Sequence, residues 1–265
     1  MADEWTLVTG ASDGIGKEIA RVCAEKGRDV ILAARSEDKL IALAEELRAA
    51  HEVEVDVIVA DLNTPKGASK LWRAATAKGR KVDFLINNAG LGRNGPFIEE
   101  TEGDGGWERE QASMQVNMVA LTELMKLALP HMRQVNRGRI LNIASVAGFV
   151  PGPGMAVYHA TKAYVLSLSR AVQAELDSPD MTVTAFCPGA TESNFFKDAN
   201  MRSARITSVT PPPSARSVAE EAYAAAIAGK TTAVPGLINK ITAWATKLMP
   251  SMITTAMAKH LLAKA

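Results

Sequence analysis

Tyr158 and Lys162 stand four residues apart in the stretch Tyr158-His159-Ala160-Thr161-Lys162. On a helix, positions i and i+4 share a face, so this spacing holds a phenol beside an ammonium. A free tyrosine titrates near ~10 and gives up its proton reluctantly at neutral pH. A neighbouring cation favours the phenolate, so a downward shift is expected at Tyr158. A fall of about three units would correspond to roughly 4 kcal/mol at ~1.36 kcal/mol per unit. It would bring the phenol towards the range where general acid–base catalysis operates. Alone, the pair is weak evidence, because most Tyr-x-x-x-Lys pairs are solvated helix faces.

A second group with chemical meaning lies near the N-terminus. Thr6-Leu7-Val8 reads as the core of a buried strand and runs into Thr9-Gly10-Ala11-Ser12-Asp13-Gly14-Ile15-Gly16. A helical stripe follows at Ile15, Ile19, Val22 and Cys23. A glycine-rich turn between strand and helix lets backbone approach a phosphate and aims free N–H groups at it from the positive end of the helix. The spacing is Gly-x-x-x-Gly-x-Gly rather than the commoner Gly-x-Gly-x-x-Gly. A tight turn without ligand is the alternative, and three glycines within seven residues count against it.

The elements that must position these groups alternate along the chain. Apolar runs at 7–8, 30–33, 55–59, 84–86, 140–143 and 183–186 read as strands, and 38–50 and 65–77 carry helical period. Strands apolar on both faces and separated by helices belong to a parallel sheet covered on both sides. With right-handed crossovers this gives a Rossmann-type, doubly wound, three-layer α/β/α sandwich. We expect a single domain over 1–265, with a core over 1–190 and a substrate lobe plus C-terminal helical extension over 191–265. Ligands in such sheets bind at the carboxyl ends of the strands. The glycine turn, Arg35, Asp61, Asn87-Asn-Ala-Gly90, Ser145 and Pro188-Gly189 each follow a strand end.

Bulk properties bound the function. The 265 residues are 47% hydrophobic and 22% charged, with a formal net charge of +1. No basic stripe appears, which argues against nucleic acid as a partner. His51, His131, His159 and His260 are scattered without ligand spacing, so no metal site is expected. Cys23 and Cys187 read as buried thiols. Neither a secretory signal nor an apolar run of membrane-spanning length is apparent, so a cytoplasmic protein without membrane contact is expected. Two segments are apolar over more than one stripe. One runs from Val116 to Leu129 through Met118, Val119, Leu121, Leu124, Met125, Leu127 and Ala128, and the other follows Tyr158 with a small-residue stripe at Ala163, Ser167, Ala171 and Ala174. A homodimer or homotetramer packed through these helices is expected, with deep burial inside the monomer as the alternative.

Together these residues resemble the short-chain dehydrogenase/reductase family along essentially the whole chain. The matching pieces are Thr9-Gly-Ala-Ser-Asp-Gly-Ile-Gly16, Asp61-Leu62, Asn87-Asn-Ala-Gly90, Asn117, Ser145, Tyr158-x-x-x-Lys162 and Pro188-Gly189, with thirteen positions from Ser145 to Tyr158. The Cys187-Pro-Gly-Ala-Thr191 stretch and helical C-terminus resemble a DltE-like bacterial subgroup. The resemblance implies that Tyr158 donates a proton to a carbonyl, or takes one from an alcohol. Lys162 would lower its pKa and hold the nicotinamide ribose, Ser145 would hydrogen-bond the reacting oxygen, and Asn117 would hold a relay water. The cofactor implied is a nicotinamide dinucleotide, which carries the hydride. Gly10, Ser12, Asp13, Gly14, Ile15 and Gly16 would hold its phosphates. Asp61 and Leu62 would meet the adenine, with Asp61 as a plain turn cap the alternative. Asn88, Ala89 and Gly90 would support that side, and Pro188, Gly189, Thr191 and Ser193 the carboxamide side. Where NAD-selective enzymes place a carboxylate, this chain has Ala34 followed by Arg35 and Ser36. An arginine fork suits a 2′-phosphate, so NADP(H) is favoured over NAD(H), with Asp13 as counter-evidence.

The substrate end says least. Leu237, Ile241, Trp244, Leu248, Met252, Ala256 and Met257 recur at helical spacing, with Lys240, Lys247 and Lys259 between them. A helical lid packed on the body is the plain reading, and a membrane-surface helix the other. Met155 and Met201 suit an adaptable apolar pocket, hence a hydrophobic ketone, aldehyde or secondary alcohol. The expected activity is NADP(H)-dependent carbonyl–alcohol interconversion. The alternatives are a non-catalytic NADP-binding scaffold and a 3-oxoacyl-acyl-carrier-protein reductase.

Overall fold

The computed structural model describes residues 4–98, 106–192 and 212–262. Its strands are β1 (Glu4–Thr9), β2 (Asp29–Ala34), β3 (Val55–Val59), β4 (Lys81–Asn87), β5 (Gly138–Ile143), β6 (Met181–Phe186) and β7 (Thr232–Ala233). They form one sheet in the order β3-β2-β1-β4-β5-β6-β7, and every neighbouring pair is parallel. The order reverses between β1 and β4, which opens a crevice at the carboxyl ends of those two strands.

Side-chain alternation along each strand explains the two cores. Leu7, Ile31, Leu85, Ile140 and Val183 point to one face and Val8, Leu32, Ile86, Leu141 and Phe186 to the other. On the first face they meet α3 (Gly67–Ala75), α5 (Leu121–Gln134) and α6 (Ala156–Ala174) through Leu71, Leu124 and Val165. On the second they meet α1 (Gly14–Glu25), α2 (Glu37–Ala50) and α7 (Ala215–Ile227) through Ile19, Leu43 and Val218. The strands therefore read as unbroken apolar runs, and the outcome is the expected Rossmann-type three-layer sandwich. The remaining helices are α4 (Gly106–Met114), α8 (Leu237–Leu248) and α9 (Ser251–Leu262).

All six expected strands form, each at its place in the sequence. The two-residue β7 had no apolar run to announce it. The helix expected over 65–77 is trimmed to Gly67–Ala75, because Asp61 and Thr64 build a turn ahead of it. The wide apolar arc from Val116 has a local cause. Residues Gln115–Ala120 form a π-helical segment between α4 and α5. One extra residue per turn there shifts the phase of the stripe. Val116, Asn117, Ala120, Leu121, Leu124 and Ala128 are consequently all buried in the monomer, while Val119 is 51% exposed.

Candidate active site

The carboxyl ends of the strands open into a cavity of about 740 Å³. At one end lies the turn from β1 into α1. Gly10 takes φ +67°, a left-handed conformation that side chains rarely adopt. A Cβ on Gly16 would fall 2.3 Å from the Gly10 carbonyl oxygen, so helix and turn touch backbone to backbone. Asn88, just past β4, pins the turn by donating from Nδ2 to the carbonyls of Thr9 (3.0 Å) and Gly10 (3.2 Å). Asp13 caps α1, its carboxylate accepting from Gly14 N at 2.6 Å. Ser12, Asp13, Gly14 and Ile15 thus line the cavity at the positive end of a twelve-residue helix, which suits an anionic phosphate. The residues present fit a dinucleotide.

Arg35 and Ser36, exposed past the end of β2, line the next part of the wall, with Asp61 and Leu62 beyond β3. Asp61 accepts from Asn63 N (2.9 Å) and so shapes the turn as well as facing the cavity. Lys39 on α2 lies 3.8 Å from the Asp13 carboxylate.

At the other end, α6 presents Tyr158 and Lys162 on one side. The Lys162 Nζ lies 5.7 Å from the centre of the Tyr158 ring and donates to the Ile143 carbonyl at 2.8 Å. Ser145, at the end of β5, hydrogen-bonds the phenol; its hydroxyl also accepts from Ala147 N at 3.1 Å. Burial of the hydroxyl end pushes the Tyr158 phenol up to about 12, with the Ser145 bond acting in the opposite direction. Burial likewise brings Lys162 down to about 8. The expected downward shift at Tyr158 is therefore reversed. The ammonium is spent on a backbone carbonyl behind the ring, and desolvation dominates both groups.

Asn117 sits behind the cavity wall, inside the π-helical segment. Its Oδ1 accepts from Leu91 N (2.9 Å), and its Nδ2 donates to Leu91 O (2.9 Å) and Thr161 Oγ1 (3.0 Å). It joins the loop after β4 to α6 one residue before Lys162. Asn88, Ala89, Gly90, Pro188, Gly189 and Thr191 all line the cavity. Gly16 supports the turn from behind, and Ser193 falls outside the described residues, as does Met201. Sequence reasoning missed several lining residues. Glu108, Arg109 and Ala112 come from α4, and Thr242 and Ala258 from the C-terminal helices; nothing in their local pattern marks them. His159 had a signal in its position next to Tyr158. It is buried, with Nδ1 2.8 Å from the Val150 carbonyl, and burial lowers its pKa.

With this geometry in place, the likenesses to known proteins are informative. A family model described as short chain dehydrogenase matches residues 4–204. The very-long-chain 3-oxoacyl-CoA reductase of Anas platyrhynchos is 36% identical over 186 residues, 69% of this chain and 58% of that protein. The chain thus spans less than two thirds of that relative's length. A short-chain dehydrogenase from Sphingobium yanoikuyae, solved in complex with NADPH, superposes with a TM-score of 0.81 at 32% identity over 92% of each chain. A 7beta-hydroxysteroid dehydrogenase superposes with a TM-score of 0.84 at 25% identity over 96% of each chain.

Proposed function

This chain belongs to the short-chain dehydrogenase family, and from that premise we propose that it is an NADP(H)-dependent oxidoreductase interconverting a hydrophobic ketone or aldehyde with its alcohol. The observation that carries this reading is one cavity wall bearing the glycine turn and Arg35 at one end and Ser145, Tyr158 and Lys162 at the other. Bound along that wall, the dinucleotide would supply the hydride. Tyr158 then gives its proton to the substrate oxygen, and Ser145 donates to the same oxygen as negative charge develops there. Lys162 would hold the ribose hydroxyls, and a relay water near Asn117, whose side chain is itself bonded to Leu91 and Thr161, would return a proton to Tyr158.

Three features support NADP(H). The last residue of β2 is Ala34 rather than a carboxylate, Arg35 beside it is exposed on the cavity wall and could meet a 2′-phosphate, and Lys39 offsets the negative charge of Asp13. Apolar cavity residues such as Leu71, Val116, Val150 and Met155 support a bulky hydrophobic substrate. The names of the relatives, an acyl-CoA reductase and a hydroxysteroid dehydrogenase, agree with that class. The first of these also keeps a 3-oxoacyl thioester in view as the carbonyl compound. We further propose that the protein is a homodimer or homotetramer through α5 and α6. Ala163, Ser167, Ala171 and Ala174 form an exposed small-residue stripe on α6, and Tyr164 ties that helix to Thr122 on α5 at 2.8 Å.

The test is loss of absorbance at 340 nm with NADPH across hydrophobic ketones, steroid ketones and 3-oxoacyl thioesters. Turnover with at least one class is expected. Arg35→Ala should weaken kcat/KM for NADPH by about tenfold or more while leaving NADH nearly unchanged. Equal losses for both dinucleotides would refute the 2′-phosphate assignment, and no turnover across the panel would favour a binding protein without catalysis.

A further inference from the structure

The last two helices carry apolar side chains on the side turned away from the body. On α8, Leu237 and Ile241 are 73% and 57% exposed one turn apart, while Ala243 is buried. On α9, Met252, Ile253 and Met257 are 81%, 47% and 53% exposed, while Thr254 and Ala258 are buried. The plain sequence reading packs the stripe through Leu237, Ile241, Met252 and Met257 inward as a lid; the structure leaves those four, and Ile253 beside them, in solvent. Among the described side chains, the helices bury the small or polar Ala243, Thr254 and Ala258 and offer Leu237, Ile241, Met252, Ile253 and Met257 outward, the reverse of an ordinary amphipathic surface helix.

Charge indicates what covers them. Residues 222–265 hold five lysines and one histidine but no aspartate or glutamate, in a chain whose formal net charge is only +1. Lys240 and Lys259 are exposed on the two helices. A second copy docking two-fold through this face would set lysine against lysine, with no carboxylate in the segment to pair them. An anionic lipid surface satisfies both properties at once, taking apolar side chains into the acyl boundary and lysines among the head groups. No helix among the described residues is long and apolar enough to cross a membrane, so the contact is interfacial.

We propose that α8 and α9 dock the protein onto the surface of an anionic phospholipid bilayer. The same helices line the cavity through Thr242 and Ala258. Docking therefore sets a wall of the cavity beside the phase in which hydrophobic compounds concentrate. This inference concerns a surface and stands apart from the oxidoreductase reading.

The test is cosedimentation of the full chain with vesicles of phosphatidylcholine alone or mixed in equal parts with phosphatidylglycerol. Binding to the anionic vesicles is expected, weakened as salt rises from about 0.1 M to about 1 M and the screening length falls from ~10 to ~3 Å. Lys240→Gln and Lys259→Gln should each lower the partition about fivefold. Ile241→Asp and Met252→Asp should lower it about tenfold. All four should keep the circular dichroism and NADPH binding of the parent, since none of these side chains lines the cavity. Absence of binding, equal binding to both vesicle types, or variants that bind like the parent would overturn the proposal. So would a second copy on this face, shown by Ile241→Asp breaking an oligomer in sedimentation velocity without changing vesicle binding.

Discussion

At the scale of the residue, Lys162 decides how the site responds to pH. It is 6% exposed, and its ammonium is held by the Ile143 carbonyl. Burial lowers it to about 8, while burial raises Tyr158 to about 12. Tyr158 thus keeps its proton throughout the neutral range, as a donor to a carbonyl must. Lys162, lowered by burial, comes into reach of titration at mildly alkaline pH. It is charged below about 8 and loses its donor charge above it. We therefore expect kcat/KM for NADPH in carbonyl reduction, which reports the free enzyme, to be steady below that point and to fall about tenfold per unit above it. A profile that stays level to about pH 10 would show that the lysine charge is not required. The four-residue spacing of the pair was legible in the sequence, because helical periodicity is local. The direction of the shifts was not. It depends on enclosure and on a carbonyl from a different strand, neither of which periodicity encodes.

At the scale of the element, the glycine turn forms one end of the cavity, and the π-helical segment braces α6 at the other. Asn117 satisfies both backbone groups of Leu91 and reaches Thr161 on α6. Removing its amide takes a partner from the partly buried N–H and C=O of Leu91 and one bond from Thr161, at up to about 1–3 kcal/mol for each group that solvent does not reach. Asn117→Ala is expected to lower the thermal midpoint by several degrees, at roughly 2–4 °C per kcal/mol for a chain of this size. An unchanged midpoint would mean that solvent replaces those bonds freely. The glycine turn was readable because three glycines between a strand and a helix mark backbone that needs left-handed angles or close approach, as Gly10, Gly14 and Gly16 show. The π insertion was not: its trace in the sequence is an apolar arc too wide for one helix face, which suggested a subunit contact. Much of that arc is in fact buried inside the monomer, while the small-residue stripe on α6 remains outside.

At the scale of the whole molecule, alternating strands and helices with right-handed crossovers determine that all the motifs meet at one sheet edge. That much followed from the sequence, since each motif comes directly after an apolar strand. The C-terminal helices did not, because the same apolar spacing describes a face turned inward or outward. The exposed stripe of α6 carries the oligomer proposal. Ala163→Glu, which places like charges opposite each other across a two-fold contact, is expected to leave monomers in light scattering where the parent gives a dimer or tetramer. A parent that is monomeric at micromolar concentration would remove that proposal.

The central claim is that Tyr158 is the acid serving a dinucleotide bound at the glycine turn. It is tested most directly by comparing NADPH affinity with turnover in Tyr158→Phe, which keeps the ring and removes one oxygen. The account predicts nearly unchanged NADPH binding by fluorescence and a loss of carbonyl reduction of about 10²–10⁴-fold. Reduction by the variant at the parent's rate, with NADPH bound as tightly, would contradict it.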